Sequence, residues 1–226
     1  LDNDDNTVRL SKRVMEERQC SRREAELYIE GGFVSVDGKL VEEAGARVAP
    51  DQQIAIAENA TLLEIVPVTI LLHKPAGAAQ PLHLLKEETL TRSSPGQRFL
   101  KRHITGQEQM VPLDTKASGL VVFTQDFRVN RKLSEESLEQ EIIVEVSGAI
   151  IEGGLQQLNQ INGKVSWQNE TRLRFAMKNA KLGLIEKLCK EVGLTVVSMK
   201  RIRVGRISMA SLPSGEWRYL QGYERF

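Results

Sequence analysis

The first fifty residues are the most tightly constrained part of this chain, because three local signals follow one another at fixed spacing. Ser21 is followed three residues later by Glu24, the pattern in which a hydroxyl and a carboxylate each cap the other residue's backbone N–H. A helix therefore starts there, and Gly31-Gly32 stops it at about Glu30. Asp37-Gly38, set between Phe33–Val36 and Lys39–Val41, is the two-residue turn of a hairpin. Upstream, Val8 to Gln19 has helical spacing, with Leu10, Val14 and Met15 apolar and Ser11 placed as a cap. Downstream, Gln53–Ile56 supplies a further short strand. Two short helices, a tight turn and a few strands make a small α+β module over residues 8–56, and 57–65 reads as a linker.

From residue 66 onward the pattern changes to a larger, strand-rich domain spanning 66–226. Val66–Leu72 is an apolar strand running into a turn at His73–Gly77. Residues 78–109, including Ser93-Ser94-Pro95-Gly96, read mostly as loop. Leu120–Thr124 is a buried strand, and a short helix follows at Phe127–Leu133. Strands are expected at Glu141–Val146, Lys164–Gln168, Thr171–Met177, Thr195–Met199 and Ile202–Met209. Helices are expected at Gly154–Asn159 and around Leu182–Val192, where Ile185, Leu188, Cys189 and Val192 fall on one face and Gly193 closes the end.

Composition narrows the function classes. With 41% hydrophobic and 27% charged residues the chain folds without covalent staples. No apolar run reaches the ~18 residues of a membrane span, and the opening Leu-Asp-Asn-Asp-Asp is unlike a signal peptide. Cys20 and Cys189 lack metal-ligand spacing and read as buried free thiols, so a reducing, cytoplasmic setting is expected. No glycine-rich dinucleotide or phosphate loop is present, His73, His83 and His103 are isolated, and no serine-nucleophile pattern occurs. What remains is chemistry free of metal and cofactor, or no chemistry.

Net charge is only +1, so the placement of charge carries the information. Arg9, Lys12, Arg13, Arg18, Arg22 and Arg23 crowd the first module, against Glu16 and Glu17. Arg92, Arg98, Lys101 and Arg102 form a second cluster, and a third lies between Ser198 and Phe226. Arg22 and Arg23 stand on the first turn of the helix capped by Ser21, where backbone N–H groups and guanidinium groups both favour phosphate.

Val8–Arg13, Cys20–Gly32 and Val34–Lys39 together resemble the small RNA-binding module shared with a small-subunit ribosomal protein, the alpha-L motif. The rest of the chain is similar to RNA pseudouridine synthases of the RsuA/RluF type. The similarity rests on Leu71–Gly77, on Pro112–Asp126 with its Leu113-Asp114 and Gly119-Leu120, on Gln140–Val144, and on Leu188–Gly193 through Leu220. The resemblance implies a mixed, mainly antiparallel sheet domain with flanking helices, an α+β protein overall. It also implies isomerisation of uridine in ribosomal RNA, without cofactor or metal, with the base flipped out of its stack; a monomer is expected because the basic module needs no partner.

In that reading Asp114 is the catalytic carboxylate, and Ile142 and Leu113 pack against the base. Three positions depart from the family pattern. Pro112 replaces an arginine, Ile142 a tyrosine, and Leu182–Leu188 the run that carries the arginine paired with the aspartate. Glu186 stands in that arginine's place, so Lys187, Lys181 or Lys74 becomes the candidate cation beside Asp114. The expected RNA contacts are Arg9, Lys12, Arg13, Ser21, Arg22, Arg23 and Lys39 in the module. Beyond it they are Arg102, Lys200, Arg201 and Arg203. A chain that keeps this surface but has lost catalysis, acting as an RNA-binding or ribosome-assembly factor, is the alternative.

Overall fold

A computed structural model describes residues 6–91, 97–135 and 137–226, so Arg92 and the Ser93–Gly96 stretch lie outside the described residues. The chain forms two compact units. One comprises Leu1–Pro67 with Arg98–Thr105, the other Val68–Gln97 with Gly106–Phe226.

In the first unit, β1 (Val8–Arg9) leads directly into α1 (Leu10–Arg18), and α2 spans Arg22–Glu30. The capping box forms in full. Glu24 donates its N–H to Ser21 Oγ at 3.3 Å, and Ser21 donates its N–H to Glu24 Oε2 at 2.7 Å. β2 (Val34–Val36) pairs with β3 (Lys39–Leu40) across the Asp37-Gly38 turn, β4 is Arg47–Val48, and β5 (Ile54–Ile56) lies on the other side of β2. Leu10, Val14, Ala25, Ile29, Val34, Val36 and Val48 make the core, each large aliphatic contributing roughly 1.5–3 kcal/mol.

The sequence pattern starts the first helix at Val8 with Ser11 as cap; the structure starts it at Leu10. Val8 and Arg9 pair instead with Val48 and Arg47, the Leu10 N–H reaches Ala46 O at 2.7 Å, and Ser11 is buried. The segment 98–105, expected within the second domain, packs with the first unit. Arg98 donates to Gly32 O and lies 5.5 Å over the Phe33 ring. Lys101, opening α3 (Lys101–Ile104), pairs with Glu43 at 3.0 Å.

The second unit is built on one sheet. Its strands are β6 (Thr69–Lys74), β7 (Glu108–Met110), β8 (Ser118–Thr124), β9 (Gln140–Gly148), β10 (Gly163–Trp167), β11 (Arg172–Met177), β12 (Leu194–Val204), β13 (Ile207–Ser208) and β14 (Trp217–Tyr219). They run in the order β10-β11-β9-β12-β8-β6-β14, with β13 paired to β12 and β7 to β8. Among these pairs only β8 and β12 are parallel. The fold is therefore α+β with a mainly antiparallel sheet, as the resemblance implies.

Three helices, α4 (Phe127–Glu135), α5 (Gly154–Leu158) and α6 (Leu184–Glu191), flank the sheet. β8 is buried along Gly119–Thr124, which explains its unbroken apolar run. β9 alternates instead. Ile142, Val144 and Val146 join Phe175 of β11 and Ile185 and Cys189 of α6 in a core, while Glu141 and Glu145 face outward. A second cluster gathers Leu71, Leu120, Val122, Val204 and Met209. Where two strands are expected at 195–199 and 202–209, β12 continues unbroken through Val204. It keeps its pairing to β9 across register shifts at Val196/Ser198 and Arg201/Arg203.

Candidate active site

Asp114 lies on the loop between β7 and β8, half-buried, its carbonyl accepting the Ala117 N–H at 3.0 Å. Two buried cations hold that loop by its carbonyl oxygens. Lys74, at the end of β6, donates to Thr115 O at 2.9 Å, Ala117 O at 2.6 Å and Pro75 O at 3.2 Å. Arg201, on β12 and 0% exposed, donates to Val111 O at 2.7 Å, Pro112 O at 3.1 Å, Leu120 O at 2.8 Å and Gln140 Oε1 at 3.0 Å. Gly119 is needed beside it. Its φ is +115°, and a Cβ there would collide with the Arg201 backbone.

The charges act on one another. Burial pushes the Arg201 guanidinium down to about 9, and the Asp114 charge opposes that shift, so it stays protonated at neutral pH. Burial, and then the neighbouring Arg201 charge, pushes Lys74 down as well, again opposed by Asp114. The Asp114 carboxylate itself accepts the Gly183 N–H, at 3.0 Å to Oδ1 and 3.3 Å to Oδ2. Gly183 is the N-cap of α6 with φ +75°, so the carboxylate sits at the positive end of a helix. Around it Leu113, Ile142, Ala180, Lys181, Leu182, Ile185 and Met199 close a cavity of about 10 Å³, room for barely one water molecule.

The candidate cations divide. Lys74 lies under the loop, within reach of the Asp114 field. Lys181 lines the cavity without an ion pair to Asp114. Lys187 is no partner. Its side chain is 73% exposed and pairs with Glu191, one turn along the helix, at 3.9 Å, because it points away round α6. Glu186 is exposed too. Among the described residues no lysine or arginine forms an ion pair with Asp114, and the group bonded to it is a backbone amide. Sequence reasoning missed Gly183 and the inward course of Arg201. The available signals were a glycine before the α6 pattern and the same-face parity of Met199 and Arg201.

Several expected RNA contacts are otherwise engaged. Arg201 is sealed inside, since four carbonyl acceptors converge on it. Arg203 is spent on Glu139 at 2.6 Å, Glu141 at 3.0 Å and Gly205 O. Arg13 fastens α1 to the 49–52 turn through Ala49 O and Gln52 O. Ser21 is committed to its cap. Arg9, Lys12, Lys39 and Lys200 are exposed, as are Arg22 and Arg23, which pair with Glu26 and Glu64. Arg102 is exposed and lies 3.9 Å from Glu30. Cys189 is buried and its thiol is pushed up to about 11, which makes it inert. Among the described residues no three His, Cys, Asp or Glu side chains converge as metal ligands would, and no helix is long and apolar enough to cross a membrane.

Fold and site together define a class: a mainly antiparallel sheet presenting one carboxylate to a small apolar cavity, in a chain that opens with a compact helix-pair module. Comparison with known proteins finds relatives along nearly the whole chain. Residues 8–54 match the family model described as the S4 domain. The dual-specificity RNA pseudouridine synthase RluF of Escherichia coli (strain K12) is 28% identical over 96% of this chain and 76% of its own length. An uncharacterized RNA pseudouridine synthase of Aquifex aeolicus (strain VF5) is 26% identical over 94% of this chain and 92% of its own. A crystal structure of a pseudouridylate synthase shares the fold, with a TM-score of 0.56 at 16% identity over 95% of this chain and 96% of that one. The resemblance to RNA pseudouridine synthases thus extends over nearly the whole chain.

Proposed function

We propose that this protein isomerises uridine to pseudouridine in RNA, with ribosomal RNA as the substrate, and that Asp114 is its catalytic residue. The observation that carries the reading is the Asp114 carboxylate at the mouth of an apolar cavity, on a loop braced by two buried cations. The reaction needs little more from the protein than this. The N1–C1′ bond breaks, the base turns, and C5 bonds to C1′; the proton lost from C5 is balanced by the one gained at N1. A carboxylate serves by adding to C1′ or by removing the C2′ proton. Leu113 and Ile142, which line the same cavity, pack on the faces of the flipped base.

The 8–56 module, with Arg9, Lys12, Arg22, Arg23 and Lys39 outward, supplies affinity for phosphate, and 66–226 supplies the chemistry. Arg102 in the first unit and Lys200 in the second are further exposed cations for phosphate. The protein works as a monomer in the cytoplasm, without metal or cofactor. Pseudouridine mapping in cells lacking this gene, complemented with the wild type or with Asp114→Asn, is the test. A site present only with the wild type is expected. Identical maps in all strains would leave an RNA-binding or assembly factor.

A further inference from the structure

We propose that Arg201 is the positioning residue of Asp114: its guanidinium holds a strained turn at Val111–Pro112, and that turn aims the carboxylate. The proposal rests on the isomerase reading above. A fully buried guanidinium persists only where its N–H groups and its charge are answered. Here four neutral oxygens answer the N–H groups, and two of them belong to the residues just ahead of Leu113-Asp114.

Val111 gives the reason. Its φ is +48°, the left-handed region that a β-branched residue adopts only when its surroundings force it. The shortest of the Arg201 bonds, 2.7 Å, is to the Val111 carbonyl, and the same fork takes the next carbonyl, that of Pro112, at 3.1 Å. A planar guanidinium offers a rigid fork of N–H groups that meets two consecutive carbonyls; an ammonium group is a point charge without that fork. The strained turn, its clamp and the carboxylate therefore form one unit. Gly119 lets β8 approach the Arg201 backbone closely enough for the side chain to reach beneath the loop. Among the described residues no arginine or lysine meets the Asp114 carboxylate head-on, and the support comes from below, through the loop backbone.

The test compares Arg201→Lys and Arg201→Gln with the wild type in the full-length protein. The assay is single-turnover release of tritium from transcribed ribosomal RNA labelled at uridine C5, alongside RNA affinity. A misplacement of ~1 Å can cost about 100-fold in rate. Arg201→Gln is expected to be slowed by about that factor, with Arg201→Lys between it and the wild type and RNA affinity within about twofold for both. A wild-type rate in folded Arg201→Lys would overturn the proposal, and so would equal losses of rate and affinity. If Arg201→Gln does not fold, Arg201→Lys decides alone. No tritium release from the wild type on any ribosomal RNA would instead strike the isomerase reading.

Discussion

Replacing Lys74 by methionine keeps most of the stem volume and deletes the ammonium group, so it isolates what that group does. Its three acceptors do not suffer equally. Thr115 O keeps the Gly77 N–H at 2.7 Å, and Pro75 O keeps a long contact from the Ala78 N–H at 3.5 Å. Ala117 O loses its 2.6 Å partner in a buried setting, at a cost of about 1–3 kcal/mol for one unsatisfied group. The charge-assisted bond to Thr115 adds roughly another 1.5–3 kcal/mol. Relief of burying the ammonium, whose pKa burial and Arg201 both depress, offsets part of this. The net loss is about 2–3 kcal/mol, which for a domain of this size lowers Tm by roughly 4–12 °C. Calorimetry or a thermal melt followed by near-UV circular dichroism measures it. A Lys74→Met protein melting within about 1 °C of the wild type would show that the loop does not depend on the ammonium, and the brace described above would be wrong.

The basic module and the buried histidines give two further expectations. Arg22→Ala with Arg23→Ala removes two exposed cations from the first turn of α2, so RNA affinity falls and its log–log salt slope flattens by about two units. An unchanged slope in filter binding would show that this face meets something other than RNA. His73 and His103 are buried, and burial lowers both pKa values below 6.5. The unfolded chain then binds more protons than the folded one, so stability falls as pH drops through 6.5 towards the depressed folded values. Urea midpoints at about pH 7.5 and about pH 5.5 should differ more for the wild type than for His73→Gln/His103→Gln. Equal differences would place the acid sensitivity elsewhere.

What could be read from the chain was local. The Ser21–Glu24 box, the Asp37-Gly38 turn and the alternation of β9 act within a few residues, so their sequence carries them whole. Asp114 stands out in the chain only through the resemblance carried by Leu113-Asp114 and Gly119-Leu120, and its place beside the cavity comes from the fold. Val8–Arg9 was not legible, because a two-residue strand exists only through its partners Arg47 and Val48, nearly forty residues on. The same holds for Arg98, which looks like any surface arginine until Phe33 and Gly32 receive it. Arg201 is the strongest case. Its position among basic residues suggests a phosphate contact, and only four acceptors drawn from residues 111, 112, 120 and 140 make its burial possible. Lys187 failed as a partner for a simpler reason: one residue off on a helix is a different face.

The bond from Gly183 to Asp114 has a consequence for selectivity. With space for about one water molecule, the cavity as it stands is too small for a pyrimidine ring, so on the proposed reading its lining must open before a base can enter. Free uridine brings few contacts to exchange for that opening. A structured RNA brings phosphates along an extended surface, and the binding free energy they release far from the reacting base is what can be spent on opening. On that reading the amide at the start of α6 caps the Asp114 carboxylate until RNA binds, and substrate size becomes a condition of entry rather than a matter of fit around the base.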